Sequence, residues 1–308
     1  MLTYGLFGAS GLFITSYWPL IISRTILGIS ISATFTSITV MILNLYDGRQ
    51  RDDVIGWRVS SNNFAGVVWP IIGGFLGTFS WHMPFSAYLI GIPLGIIAFL
   101  TIPETPRGTF QTARTAGNRE SVFSLLMKTP VLLVTYGLIF LTLFSLSAYI
   151  IFVPQIVQPF GIENPFYIGI IISTMGLAGT VTALVYGRIR AKMSYKAIVV
   201  MAMPVWIVGF ATMSQASSVW LVILAMVLFG LGMGVIGPAV TVWTGESVPA
   251  QFRGRITSYL ATFGFIGQFM SPIILSPIAT SLGLNAVFIV LAGVSALVFI
   301  ASLAFLRK

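Results

Sequence analysis

The hydrophobic positions of the chain form long, nearly unbroken runs instead of an alternating pattern. A run of about 20 apolar residues is what an α-helix needs to cross a bilayer, at a rise of about 1.5 Å per residue. A membrane β-barrel would instead show segments of about ten residues with alternating hydrophobicity. Dividing the chain at its polar breaks predicts ten transmembrane helices, at residues 2–17, 18–44, 55–79, 84–103, 130–154, 165–186, 196–214, 219–243, 257–281 and 284–306.

The composition strengthens this interpretation. Hydrophobic residues make up 57% of the 308 residues and charged residues only 7%. That is too little charge to cover the surface of a soluble protein of this size. The chain has no cysteine, which excludes disulfides and cysteine-ligated metals. The sequence therefore predicts an all-α integral membrane protein.

The positive charges lie on one side of this arrangement. Apart from Arg24, the lysines and arginines fall in every second connection between the predicted helices and at the C-terminus, and the opposite connections carry none. The positive-inside rule then places the basic connections and the C-terminus in the cytoplasm. The net charge of +9 thus indicates orientation in a cell membrane, with the bilayer and not a nucleic acid as the partner.

Two parts of the chain resemble each other at a fixed offset of 202 residues. Trp18 corresponds to Trp220, Arg51 to Arg253, and residues 70–72 to residues 272–274. Predicted helices one to four therefore match helices seven to ten, and helices five and six have no first-half partner. The offset places that partner before Met1. We expect a parent architecture of two six-helix halves, of which this chain lacks the first two helices.

The repeat also predicts the domain organisation. Residues 1–103 would form a partial bundle of four helices, and residues 129–308 a bundle of six. Residues 104–128 between them are polar and basic and contain several helix breakers. This composition predicts a cytoplasmic linker.

Three segments carry motifs. Arg24 is followed by Leu27 and Gly28; residues 65–74 end in Pro-x-x-Gly-Gly; and residues 187–196 form a basic loop. Together with the repeat, these segments resemble the major facilitator superfamily, which has two six-helix bundles and a central cytoplasmic loop. The resemblance covers the whole chain as the family's helices three to twelve.

Within that family, the drug:proton antiporter branches are the most similar. Their fourth-helix pattern has Arg, usually Gln, then Gly, and Leu27 stands here in place of the Gln. Their fifth-helix pattern is G-x-x-x-G-P-x-x-G-G, in which Ala65 and Trp69 replace the first two glycines. The basic loop resembles the second-half copy of the family's loop signature, with Ala191 in place of its Asp.

Arg24, in the second predicted helix, is the only basic residue inside a long apolar run. It lies roughly 10 Å below the outer end of that helix, where a charge is costly unless it meets water or a partner. The resemblance implies a role for Arg24 and Gly28 in transport or coupling. The alternative is a side chain that extends to the outer interface.

Small residues form one face of the third predicted helix. Gly66, Pro70 and Gly73 are spaced by four and three residues, and Gly74 follows. Such a face allows close approach to another helix, and Pro70 bends its own. Gly237 and Pro238 in the eighth predicted helix carry the same interpretation. In both places the alternative is plain tight packing.

No Asp or Glu lies inside a predicted helix. A proton-driven antiporter normally needs a titrating group within the membrane, so protons as coupling ion rest on the resemblance. Aromatic and amide side chains within the helices are candidates for a substrate cavity, where they would suit amphipathic or cationic compounds. The candidates are Asn62, Asn63, Tyr136, Phe140, Phe144, Tyr149, Trp243 and Gln268, of which Gln268 looks the most buried amide; lipid-facing or interfacial packing is the alternative for the aromatic ones.

Charges on the cytoplasmic connections are candidates for a gate. We expect Glu246 to pair with Arg188 or Arg190, with Arg253 nearby, and so to hold the inward side shut. The alternative is a set of solvated loop charges.

The sequence therefore predicts a secondary transporter of small molecules in the plasma membrane. A membrane enzyme is disfavoured, because no catalytic cluster, phosphate loop or metal-binding helix occurs, and no cofactor is expected. The favoured activity is proton-coupled efflux of small hydrophobic or amphipathic compounds by a monomer. A facilitator for a sugar, peptide or other metabolite and a truncated product that does not transport stay open.

Overall fold

The computed structural model describes residues 1–45, 48–101, 129–248 and 250–306. Over these ranges the chain forms ten α-helices, joined in places by short 3₁₀ helices at Ser10–Leu12, Met83–Ile90 and Gln158–Phe160. The α-helices are α1 Leu2–Ala9, α2 Tyr17–Leu45, α3 Gly48–Gly77, α4 Gly91–Thr101, α5 Val131–Val157, α6 Pro165–Lys192, α7 Tyr195–Ser214, α8 Val219–Glu246, α9 Ala250–Leu282 and α10 Leu284–Leu306.

The predicted order of ten helices in an all-α membrane protein is confirmed. Within the described residues, seven helical stretches are long and apolar enough to cross a membrane. They are Met83–Thr101, Val131–Phe160, Pro165–Lys192, Tyr195–Ser214, Val219–Glu246, Ile256–Leu282 and Leu284–Leu303. The predicted linker 104–128 lies outside the described residues.

Several boundaries differ from the prediction, and those of α1 and α3 illustrate why. Helix α1 ends at Ala9, and Ser10–Leu12 continues as a tighter 3₁₀ turn, whereas the apolar run continues to residue 17. Helix α3 begins at Gly48, so Asp52 and Asp53 lie in its first turns and not in a loop. Hydrophobic runs mark the membrane-embedded part of a helix, and the polar turns that extend it into water leave no mark in such a run.

The contacts divide the chain into two compact units, one formed by Met1–Ala65 with Ile71–Asn118 and the other by Gly66–Pro70 with Arg119–Lys308. In the first unit, α1 packs against α2, the 3₁₀ helix Met83–Ile90 and α4. Glycines make this possible, because a side chain at Gly8 would meet the ring of Tyr88, and one at Gly11 the ring of Phe85.

In the second unit, α5 packs against α9, α6 against α8, and α7 against both α8 and α10. Its core contains a cluster of aromatic rings around Tyr149, which lies 4.8 Å from Phe229 and 5.2 Å from Phe288 between ring centroids. Trp206 joins this cluster and donates its indole N–H to the Phe229 carbonyl at 3.0 Å.

The internal repeat is visible in the helices. Tyr17 and Val219, which begin α2 and α8, are 202 residues apart, and so are Gly48 and Ala250, which begin α3 and α9. The packing repeats too, since α1 contacts α2 and α4 in the way that α7 contacts α8 and α10. The two repeated segments therefore form the same arrangement of helices.

The contact between α6 and α8 depends on glycine. A methyl group at Gly230 would collide with the Met175 carbonyl, and one at Gly234 with the Gly179 carbonyl. The next glycine of α8, Gly237, would meet no atom within 4 Å among the described residues. Pro238 follows it inside the helix, so Gly237 and Pro238 lie beyond the tight part of this contact.

Candidate functional site

Arg24 lies in the second turn of α2 and is half-buried. Its guanidinium reaches the end of α1, where Nη2 donates to the carbonyls of Phe7 at 2.9 Å and Gly8 at 3.0 Å. The same nitrogen lies 3.3 Å from the Ser10 hydroxyl oxygen. Arg24 is therefore anchored on backbone oxygens.

These carbonyls need a donor. The last four carbonyls of an α-helix have no helical N–H partner and carry the negative end of the helix dipole. Arg24 supplies both a donor and a positive charge there. Two rings complete its surroundings, with the guanidinium carbon 4.8 Å from the centroid of Phe85 and 5.8 Å from that of Tyr88. Arg24 thus joins α1, α2 and the 3₁₀ helix Met83–Ile90.

Gly28 lies one turn after Arg24 on α2. A side chain at this position would meet no atom within 4 Å among the described residues. Gly28 borders a shallow hollow of this helix, and its other lining residues are also small or apolar: Ile29, Ser32, Ala33 and Ser37. In the described part of the first unit, Gly28 is therefore a free position and not a packing contact.

The segment Gly66–Pro70 of α3 belongs to the second unit, where it meets α6. A methyl group at Gly176 would lie 2.7 Å from the Gly66 carbonyl oxygen, so the two backbones touch. Next to this contact, the Ser173 hydroxyl donates to the Val67 carbonyl at 2.8 Å. Pro70 lies inside the helix and has no N–H, so the Gly66 carbonyl lacks its usual helical donor. A side chain at Gly66 itself would meet no described atom within 4 Å, so the glycine that this close approach requires is Gly176 of α6.

The other residues of that face do not share the contact. A side chain at Gly73 would meet nothing within 4 Å among the described residues, and Gly74 is half-buried. Trp69, which replaces a glycine of the antiporter pattern, is 46% exposed. The tryptophan therefore points away from the Gly66–Gly176 contact and leaves it open for backbone packing.

Two cavity candidates lie in the core of the second unit. Tyr149 is fully buried among aromatic rings. Tyr136 is 2% exposed, donates its hydroxyl to the Ile256 carbonyl at 3.0 Å, and stacks on Phe263 at 4.9 Å. The structure thus places these tyrosines in the core instead of on a cavity surface, because each ring fills a helix contact that their spacing along α5 does not reveal.

Phe140 and Phe144 lie together, stacked at 5.7 Å between centroids, with Phe144 buried and Phe140 half-buried. Gly267 of α9 packs against the backbone of Phe140. The neighbouring Gln268 is exposed, contrary to its expected burial, because Gly267 and not Gln268 occupies the face of α9 that meets α5.

Of the two asparagine candidates on α3, the structure describes the side chain of one. Asn62 is exposed, and the side chain of Asn63 lies outside the described part of the structure. The candidates that the sequence put in one group therefore occupy separate surroundings.

The gate candidates form a different contact from the one expected. Glu246 accepts a hydrogen bond from the Tyr195 hydroxyl at 2.7 Å. Arg190 lies over the Tyr195 ring, 3.9 Å from its centroid, and donates to the Met193 carbonyl at 3.2 Å. Trp243 also stacks on Tyr195, with 5.7 Å between the ring centroids. Tyr195 therefore stands between Glu246 and Arg190.

The expected pair of Glu246 with Arg188 or Arg190 is not formed in this structure. Its physical reason is the position of Tyr195, which begins α7 and occupies the space between α6 and α8. The side chain of Arg253 lies outside the described residues. The Arg190–Tyr195–Glu246 group joins the ends of α6, α7 and α8 on the side that carries the basic connections.

Sequence patterns missed the polar residues at these contacts. Ser173 and Gly176, three residues apart on α6, form the contact with Gly66–Pro70. Two small residues three apart, which share one helix face, inside an apolar run were the available signal. Tyr195 had no such signal, because one tyrosine after a basic loop is typical of a membrane interface.

Comparison with known families gives two overlapping matches to the model of the Major Facilitator Superfamily, at residues 1–211 and 135–308. Among curated proteins, the class B tetracycline resistance protein of Escherichia coli is 27% identical over 277 residues, which cover 85% of this chain and 67% of that protein. The multidrug resistance protein MdtG of Salmonella schwarzengrund (strain CVM19633) is 32% identical over 129 residues, which cover 42% of this chain and only 32% of MdtG.

Solved structures agree on the fold. The D-xylose–proton symporter superposes with a TM-score of 0.78 at 15% identity, over 97% of this chain and 78% of that one. A variant of the nucleoside transporter NupG gives a TM-score of 0.75 at 16% identity, over 98% of this chain and 82% of that one. At such identities the likeness concerns the fold alone.

Proposed function

Because the chain belongs to the Major Facilitator Superfamily and is thus a multi-pass membrane transporter of small molecules, we propose that it exports small hydrophobic or amphipathic compounds in exchange for protons. It would act as a monomer by alternating access, in the bacterial inner membrane, with its basic connections and C-terminus in the cytoplasm. Transport needs helices that can shift against each other while remaining in contact.

The observation that carries this proposal is the contact between Gly66–Pro70 and α6. Here two helices meet backbone to backbone, with the Gly66 carbonyl against Gly176 and one serine hydroxyl bonded to Val67. A contact without interlocking side chains can slide or tilt at low cost, and Pro70 interrupts the helical hydrogen bonds at that level. The segment also resembles the antiporter pattern.

The relatives support the type of substrate. Two of them are named for resistance to tetracycline and for multidrug resistance. The stacked pair Phe140–Phe144 is a surface on which a small hydrophobic compound could lie, since Phe140 is half-buried. Cations with apolar bodies would gain in addition from the ring faces.

The test is transport by the purified chain in proteoliposomes, with tetracycline and ethidium as probes. An imposed pH gradient should drive either probe against its concentration gradient, and an ionophore that collapses the gradient should abolish this movement. Movement that only equilibrates a probe, with or without the gradient, would indicate a facilitator. If tetracycline, ethidium, D-xylose and a nucleoside all fail to move, the result would contradict a transport activity of this chain.

A pair of glycine variants tests the role of the contact between Gly66 and α6. In Gly176→Ala the added methyl group lies 2.7 Å from the Gly66 carbonyl oxygen, and a backbone atom can yield only if the helix moves. We expect transport to fall about tenfold or more. Gly187→Ala is the matched control, because it lies on the same helix and its methyl group meets no described atom within 4 Å. Equal transport by both variants would remove the contact from the mechanism.

A further inference from the structure

A hollow of about 280 Å³ lies where α6 ends and α7 begins. Two of its lining side chains are cations and four are apolar. They are Val185, Arg188, Ile189, Lys192, Met193 and Met201. All six belong to the second unit, and no acidic side chain is among them. We call this feature the α6–α7 hollow.

The two cations have no counter-ion in the part of the chain that the structure describes. Arg188 and Lys192 are four residues apart and so share one face of α6. Within the described part of the chain, neither has a hydrogen bond or an ion pair. Arg190 points elsewhere, over the ring of Tyr195, and the nearby Glu246 already accepts the Tyr195 hydroxyl. Two positive charges therefore remain beside the hollow without a negative partner among the described residues.

The depth of the hollow suits the boundary of a bilayer. Helix α6 has 28 residues and is about 42 Å long, whereas the hydrocarbon core of a bilayer is about 30 Å thick. Arg188 and Lys192 lie in its last two turns, at headgroup level. Met201, nearly two turns into α7, is 56% exposed and extends the apolar wall of the hollow toward the hydrocarbon. Charge thus lies at the rim and apolar surface below it.

We propose that the α6–α7 hollow binds one anionic phospholipid, with the phosphate between Arg188 and Lys192 and an acyl chain along the methionines. A soluble anion would use the two cations but not the four apolar residues, which form most of the lining. The carbonyl end of α6 repels an anion, so the affinity must come from these two side chains. The side with basic connections faces the leaflet whose anionic lipids attract lysine and arginine.

This proposal does not depend on the transported substrate, and binding can be measured without transport. The purified protein in detergent is titrated with dioleoyl phosphatidylglycerol, and bound lipid is counted by native mass spectrometry. The double variant R188A/K192A should bind about 30-fold less tightly, the effect expected for two cations near a membrane surface. Variant R188K/K192R keeps both charges and should bind nearly as well as the wild type.

The matched control is R114A/R119A, which removes the same charge from the 104–128 segment and should leave binding unchanged. A similar loss in that control would mean that net charge, and not the hollow, attracts the lipid. Equal binding of dioleoyl phosphatidylcholine would reduce the hollow to an apolar groove. Displacement by inorganic phosphate or glycerol 3-phosphate at the concentration of the lipid would indicate a site for soluble anions. Each of these three results would overturn the proposal.

Discussion

Replacing Arg24 with glutamine should destabilise the first unit, whatever else Arg24 contributes to transport. The substitution removes the donor of two hydrogen bonds, to the carbonyls of Phe7 and Gly8, and leaves these oxygens at the end of α1 without their charged partner. It also removes the cation that lies over the Phe85 ring at 4.8 Å. Glutamine is too short to reach the same oxygens from α2.

The magnitude follows from these contacts. A hydrogen bond to a charged group contributes about 1.5–3 kcal/mol, and a partly exposed cation–π contact about 0.5–1 kcal/mol. Since Arg24 is half-buried and water can replace part of what is lost, we expect a total of about 2–4 kcal/mol. Arg24→Lys keeps the charge but has a compact ammonium instead of a planar fork, so its loss should be about half as large.

The assay is thermal unfolding in detergent, followed by intrinsic tryptophan fluorescence. Arg24→Gln should lower the midpoint by several degrees and Arg24→Lys by less. Thr25→Ala is the matched control, because Thr25 is exposed and its hydroxyl bonds only to Ile21 of its own helix. Transport of each variant is then measured well below its midpoint, so that folding and coupling are separated.

Three outcomes separate a structural role of Arg24 from a role in coupling. If Arg24→Gln unfolds at the temperature of Thr25→Ala, the contacts of Arg24 with α1 do not stabilise the unit. If stability falls but gradient-driven transport of the folded variant equals that of the wild type, Arg24 supports structure alone and its proposed coupling role is lost. Loss of transport at unchanged stability would instead favour coupling.

Three further predictions concern the second unit. Gly234→Ala should destabilise the protein by about 1–3 kcal/mol through overpacking against Gly179. Gly237→Ala should be neutral or stabilising by up to about 1 kcal/mol through helix propensity, and unfolding midpoints compare the two variants. Tyr195→Phe should cost about 1 kcal/mol of stability by removing the hydrogen bond to Glu246, and adding Glu246→Gln to this variant should cost little more. A double-mutant cycle measures this coupling, and additive losses would show that the two side chains do not interact. Tyr149→Phe should stabilise the protein by about 1 kcal/mol, because the buried Tyr149 hydroxyl has no hydrogen-bond partner among the described residues. A lower unfolding midpoint of this variant would show that the hydroxyl has a partner.

The sequence was sufficient for the helices and for their duplication. Apolar runs have the length of a membrane span, and the offset of 202 residues recurs in the starts of α2 and α8. The partners of Arg24 were beyond such patterns, because they are backbone oxygens that become available only where α1 ends at Ala9. An apolar run that continues past this residue hides that end.

The candidate site shows the same limit. Hydrophobicity indicates that a residue lies in the membrane but not which neighbouring helix it faces. The sequence therefore could not show that Gly267, and not Gln268, meets α5. Glu246 was expected on a cytoplasmic connection and to pair with an arginine, but it ends α8 and its partner is a tyrosine hydroxyl. Charge patterns pair acids with bases and overlook a neutral donor.

Gly28 and Gly230 occupy equivalent places in the two copies, since they are 202 residues apart on α2 and α8. At Gly230 a side chain would collide with α6, whereas at Gly28 it would meet no described atom within 4 Å. The chain also contains no cysteine. A cysteine introduced at Gly28 would thus be the sole thiol, and a fluorophore or spin label attached there could report on movement of α2 without any background residue having to be removed first.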